Sequence, residues 1–143
     1  MELEISSGRH FILVVDADTH RGRALARDLR TAGCYAASAT SATEALRYAL
    51  QNEPDAVVSG WEFVDMSAVE LCRRIKSARW ATKVILHQEG AKPASLRLTL
   101  ENGGEDVLSE PVSAGTVLRL LARGNGSPAF VAPTELAGAS RTS

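Results

Sequence analysis

Over residues 11–123 the chain repeats one pattern five times without a break: a short apolar run, a turn, then a stretch with apolar residues at helical spacing. Such alternation demands a parallel sheet, because a strand can re-enter the sheet in the direction of the last only after a helix has carried the chain back. The first run, Phe11-Ile12-Leu13-Val14-Val15, is the longest strictly apolar one and ends at Asp16. A run with no polar alternation suits a strand covered on both faces. Asp18 is placed to N-cap a helix running to about Ala32, with Leu25, Leu29 and Ala32 on one stripe and Gly33 as its stop.

The later repeats follow the same plan. Residues 34–39 read as a second strand, and Ser41 with Glu44 forms a capping box for a helix to about Gln51, whose apolar face carries Ala45, Leu46, Ala49 and Leu50. After the Asn52-Glu53-Pro54-Asp55 turn, residues 56–59 make a third strand; Ser67 with Glu70 opens a helix through Lys76 with Val69, Cys72 and Ile75 inward. Residues 84–86 are a fourth strand, 94–102 a short helix stopped by Gly103-Gly104, 106–108 a fifth strand, and 114–123 a closing amphipathic helix. The expected fold class is α/β, a five-stranded parallel doubly wound sheet flanked by five helices.

At 143 residues the chain holds one such domain, over residues 10–123, with an N-terminal extension at 1–9. From Gly124-Asn125-Gly126-Ser127-Pro128 onward, residues 124–143 are too poor in apolar groups to order themselves and read as a flexible tail or truncated linker. Sixteen Lys and Arg against seventeen Asp and Glu leave a net charge of −1, so no global field draws the protein to nucleic acid or to an anionic membrane. No apolar run approaches a membrane span and the start Met1-Glu2-Leu3-Glu4 lacks signal character, so a cytoplasmic location is expected. Cys34 and Cys72 have no metal-type spacing and suit small core positions. No Walker loop or Gly-x-Gly-x-x-Gly appears, and Gly22 and Gly33, flanking the first helix, lie too far from the first strand to cradle a phosphate.

In an open parallel sheet the site forms at the carboxyl ends of the strands, where strand order reverses. That nominates Asp16, Ala17 and Asp18, then Gly60, Trp61 and Glu62, then Gln88 and Glu89, and finally Glu110 before Pro111. The stretch Ile12-Leu13-Val14-Val15-Asp16, Pro54-Asp55 with Glu70-Leu71 and Arg73-Arg74-Ile75, and the segment GGEDVLSEP ending at Pro111 together resemble the receiver domain of bacterial response regulators, a flavodoxin-like fold, over residues 10–123. The resemblance implies a phosphoryl-accepting Asp, a divalent cation held by an acidic pair, a hydroxyl, and a Lys before a cis-bonded Pro. Carried over by position, the acidic pair falls on Asp16 and Ala17, the nucleophile on Gly60, the hydroxyl on Gln88, the Lys on Glu110 and the aromatic switch on Val107; the Pro and Gly of the third loop become Val64 and Ala68. Reversing a unit charge about 4 Å from a phosphoryl group, near a protein surface, changes the sign of an interaction worth roughly 4 kcal/mol.

The expectation is therefore a degenerate receiver: a signalling module without enzymatic activity or cofactor, acting through phosphorylation-independent protein–protein contact. One alternative is a working phosphoacceptor in a relay that uses a shifted Asp, either Asp55, which precedes its strand, or Asp65, in the loop beyond it. Another is a small-ligand or metal sensor in which Asp16, Glu62 and Glu110 offer hard oxygen ligands to Mg²⁺ or Ca²⁺. Against that sensor, Asp16 would satisfy backbone donors, Asp18 would serve as helix cap, Glu62 would face water and Glu110 would be solvated at the pocket rim.

For partners, Arg23, Arg27 and Arg30, with Arg9 and Arg21 nearby, form a basic face on the first helix. The resemblance implies that this face docks a histidine kinase or another signalling domain. Without a helix-turn-helix, no nucleic-acid contact is expected from this domain. Trp61 and Phe63 either anchor a partner or fold over Gly60, and His87 is structural. Leu118, Leu121 and the short helix bearing Leu96, Leu98 and Leu100 offer apolar surface for a homodimer through the last two helices.

Overall fold

In the computed structural model, which describes residues 9–123, the first apolar run is β1 (Phe11–Val15) and its side chains split between two cores. Leu13 and Val15 face one side of the sheet and Ile12 and Val14 the other, all four fully buried. Each such side chain contributes about 1.5–3 kcal/mol by leaving water. The elements follow in strict alternation: α1 (Thr19–Thr31), β2 (Tyr35–Ala39), α2 (Ala42–Asn52), β3 (Ala56–Ser59), α3 (Ala68–Ala78), β4 (Lys83–Gln88), α4 (Pro93–Glu101), β5 (Asp106–Ser109) and α5 (Ala114–Ala122). All strand pairs are parallel, in the order β2-β1-β3-β4-β5. Leu25 and Leu29 of α1 and Val117 and Leu121 of α5 pack on the Ile12 face, whereas Ala45 of α2 and Leu71 and Ile75 of α3 pack on the Leu13 face. Leu96 of α4 joins the latter. The doubly wound architecture is as the sequence pattern requires.

The caps behave as their chemistry predicts, with one variation. Asp18, Ser41 and Ser67 each accept a hydrogen bond from the backbone of the residue three positions on. In the expected capping boxes Glu44 reaches back only to the N–H of Thr40, and Glu70 turns instead to Arg73 and Arg74. Cys34 belongs to the turn rather than to β2, because its N–H closes on the Leu29 carbonyl at the end of α1. β4 and β5 run longer than the apolar runs suggest, since pairing continues through Gln88 opposite Ser109.

Three packing expectations are corrected. Leu50 is 43% exposed, because the buried line of α2 runs through Ala42, Ala45 and Ala49, with Leu46 and Tyr48 partly covered, and Leu50 falls at its edge. Leu121 belongs to the core and not to a free surface, while Leu98 and Leu100 of α4 are the exposed leucines. Gly22 does not flank α1 but sits inside it, buried, where a Cβ would come within 3.2 Å of Asp16 Cβ. Both cysteines are buried and free. Burial pushes the Cys72 thiol up to about 12, helped by the nearby Glu105 charge. The extension and tail expected over 1–9 and 124–143 lie, except for Arg9, outside the described residues. Among the described residues no helix is long and apolar enough to cross a membrane.

Candidate functional site

β1 is the point from which the sheet grows in both directions, to β2 on one side and to β3 on the other. At the carboxyl ends of the strands there, the loops cannot both cover the gap, and a cleft of about 700 Å³ opens. Asp16, Ala17, Gly60, Glu62, Gln88 and Glu110 all line it, so the topology brings together the residues the sequence nominated. Val107 lies beneath, fully buried in the α2–α3 core. Trp61 is half-buried along the cleft wall, whereas Phe63 lines a separate notch beside Thr40 and Ser41.

Asp16 is almost entirely buried and both its carboxylate oxygens accept hydrogen bonds. Oδ1 accepts from the Asp18 N–H at 2.9 Å and from Arg21 Nη2 at 2.9 Å, and Oδ2 accepts from Arg21 Nε at 2.6 Å. The fork-on-fork geometry is the strongest pairing a carboxylate makes with a side chain. Gly22 explains how Arg21 gets there: without a Cβ at position 22, the first turn of α1 rests directly on Asp16. Arg21 Nη1 also reaches Glu110 Oε1 at 3.5 Å. Bonding to Asp16 raises the Arg21 pKa further above its ordinary value, so its charge is permanent. Arg21 therefore leaves the basic surface to which the sequence assigns it. Arg23 and Arg27 remain exposed on α1, and Arg30 is tied to the Ala36 carbonyl of β2.

Glu110 is not solvated at the rim, contrary to expectation. Its side chain is 15% exposed, and Oε2 lies 2.7 Å from His87 Nδ1. His87 is itself 2% exposed, and its Nε2 has no partner. A carboxylate only accepts, so the ring proton between the two sits on Nδ1. Gln88 is also engaged, its Oε1 accepting from Ser95 Oγ of α4. Asp18 caps α1, and its carboxyl is held below the usual range by the Arg21 backbone N–H. Glu62 faces water.

The divalent cation that the family resemblance implies does not fit this donor set. Ala17 has no ligand atom, Gly60 no side chain, and both oxygens of Asp16 are committed to Arg21. Among the described residues no group of three or more His, Cys, Asp or Glu side chains is placed to hold a metal ion. The two shifted carboxylates are engaged as well. Asp55 accepts from the Phe11 N–H at 2.7 Å, at the opposite end of the sheet from the cleft. Asp65 accepts from the Ala42 and Thr43 N–H groups at the start of α2, and the Thr43 hydroxyl, then its N–H, hold the carboxyl below the usual range.

Sequence reasoning missed Arg21 as a cleft residue and His87 as the partner of Glu110. The first was signalled by position, since an Arg in the first turn after a capping Asp18 points back toward the strand end. The second was signalled by chemistry: a buried His at a strand end requires a polar partner, and Glu110 follows Ser109, which pairs with the neighbour of His87.

The response regulator receiver domain family matches residues 12–122. Over 132 residues the chain is 32% identical to the transcriptional regulatory protein PrrA of Mycobacterium tuberculosis and equally to that of Mycobacterium bovis, an alignment covering 90% of this chain and 56% of PrrA. The chain thus spans about half the length of the curated relatives it matches. Among solved structures, the Thermotoga maritima response regulator DrrB superposes with a TM-score of 0.71 at 26% identity, covering 80% of this chain and 54% of that one. A response regulator receiver domain protein from Clostridium thermocellum gives a TM-score of 0.75 at 23% identity, covering 81% of this chain and 94% of that one, a likeness of fold alone. With strand order, cleft position and sequence all in agreement, the chain belongs to the response regulator receiver domain family.

Proposed function

We propose that this receiver domain takes no phosphoryl group and works, without catalysis of its own, as a docking module in a two-component signalling pathway of the cytoplasm. The observation that carries the reading is the Glu110 carboxylate at the cleft end of β5, fixed by His87 at 2.7 Å where a phosphoryl oxygen would need a cation. Gly60 at the end of β3 offers no nucleophile. At the end of β4 stands Gln88, whose Oε1 is already bonded to Ser95, and Lys92 at the start of α4 is the cleft's basic side chain besides Arg21. Val107, fully buried and without a ring, leaves no aromatic switch in β5. Contact with a histidine kinase or another signalling domain would run through the exposed Arg23 and Arg27 of α1 and through Trp61, and pairing of two copies through Leu98 and Leu100 on α4.

Intact-mass spectrometry after incubation with acetyl phosphate and Mg²⁺ tests this directly. No adduct is expected on the wild-type chain, and none on Gly60→Asp alone, because Glu110 still repels the phosphoryl oxygens. A stable phosphoryl adduct on the wild-type protein would end the proposal.

A further inference from the structure

A cleft of five carboxylates against two basic side chains, with one carboxylate almost wholly buried, needs a cation to be stable, and this chain brings its own. We propose that Arg21 is a resident cation: its guanidinium takes the place of a divalent ion in the cleft and excludes Mg²⁺ and Ca²⁺ from it.

Three features of the geometry support this. First, the guanidinium occupies both oxygens of Asp16 at 2.6 and 2.9 Å and spans to Glu110 at 3.5 Å, so an incoming ion would have to dislodge it from two carboxylates. A tethered cation reforms such contacts intramolecularly, at an effective concentration set by its short tether and not by the ion content of the solution. Second, the site is adapted to the guanidinium. Gly22 lets the first turn of α1 lie against Asp16, where a Cβ would come within 3.2 Å, and Glu110 supplies a second carboxylate for the far Nη. Third, Asp16 is 3% exposed at its side chain while Arg21 is 49% exposed, so the arginine lies as a cover across the carboxylate with its outer face in water. The result joins the end of β1, the first turn of α1 and the end of β5 through one side chain. A cleft spanned in this way does not respond to changes in divalent-ion concentration.

The inference deepens the docking reading and rests on it for its meaning in signalling, but the two fail separately. A phosphoryl adduct overturns that reading; a response of the wild-type protein to divalent cations without an adduct overturns this one.

The experiment is a set of thermal melts and calorimetric titrations with MgCl₂ and CaCl₂, using KCl at matched ionic strength as the control. For the wild-type chain neither salt should shift Tm beyond the KCl control or give binding heat at millimolar concentration. Arg21→Gln should melt at least about 5 °C lower, having left a buried carboxylate unpaired, and Ca²⁺ or Mg²⁺ should return part of that loss where KCl does not. Arg21→Lys, which keeps the charge but loses the fork, tests the same point if the Gln variant does not fold: it should melt between the two and recover partly with Ca²⁺. A divalent-specific shift in the wild type refutes the proposal. So does an Arg21→Gln protein that melts like wild type, or variants that ignore divalent ions as the wild type does.

Discussion

Gly60 offers the sharpest perturbation, because the backbone there accepts a side chain. A Cβ at this position would stand 3.4 Å from His87 Cε1, 3.8 Å from the Val15 carbonyl and 3.9 Å from Asp16 Cγ, all ordinary contacts. Asp and Asn therefore fit equally and differ only in charge. A carboxylate one bond beyond that Cβ lies roughly 5 Å from the Asp16 carboxylate, which at an effective dielectric of about 20 amounts to about 3 kcal/mol of repulsion. Arg21, already bonded to Asp16, offsets roughly half, leaving about 1.5 kcal/mol, or about 5 °C in Tm for a domain of this size. Gly60→Asp should thus melt about 5 °C below Gly60→Asn at neutral pH without divalent ions. The comparison cancels the backbone-entropy gain common to both replacements of glycine. The gap should close as the pH falls through the carboxylate range, since protonation removes the repelling charge. If the Asp variant melts at or above the Asn variant at neutral pH, the cleft is not the over-supplied acidic site described here.

Two further outcomes follow from the hydrogen bonds. Glu110→Ala leaves a buried imidazole with neither nitrogen partnered, so urea denaturation should show a loss of about 1–3 kcal/mol, and His87→Phe should recover much of it in the Glu110→Ala background; no recovery would mean that the pair is not the source of the loss. Glu70, bonded to Arg73 and Arg74, has its carboxyl lowered to about 2 from 4.5, so its contribution is present above about 4.5 and lost as the pH drops toward 2. The stability difference between wild type and Glu70→Gln should vanish over that window and shrink with salt; a difference that persists at pH 2 contradicts the assignment.

The fold was legible in the sequence because its information is local. A run such as Ile12 to Val15 is buried on both faces whatever follows it, and Asp18, Ser41 and Ser67 cap helices by contacts three residues long. Leu50 misled because helical periodicity reports which face is apolar, not where the edge of that face meets water. The site was legible in membership, since topology alone collects strand ends. Its bonding was not: Arg21 and Glu110 are 89 positions apart and His87 and Glu110 are 23 apart. Such pairings depend on side-chain reach across the cleft. A stripe of arginines at helical spacing looks solvated until one of its neighbours is found to turn inward.

The position of β1 between β2 and β3 has a consequence for synthesis. The strand made first needs neighbours on both sides, and its second neighbour ends only at Ser59. At roughly 5–20 residues per second, the about 40 residues from Asp16 to Ser59 take about 2–8 s to be made. Through that interval the most apolar strand of the chain has one edge with no partner, and an unpaired apolar edge is a template for another chain. The nascent domain is therefore most vulnerable to aggregation before its third strand exists, and a ribosome stalled short of Ser59 would leave β1 without the strand that covers that edge.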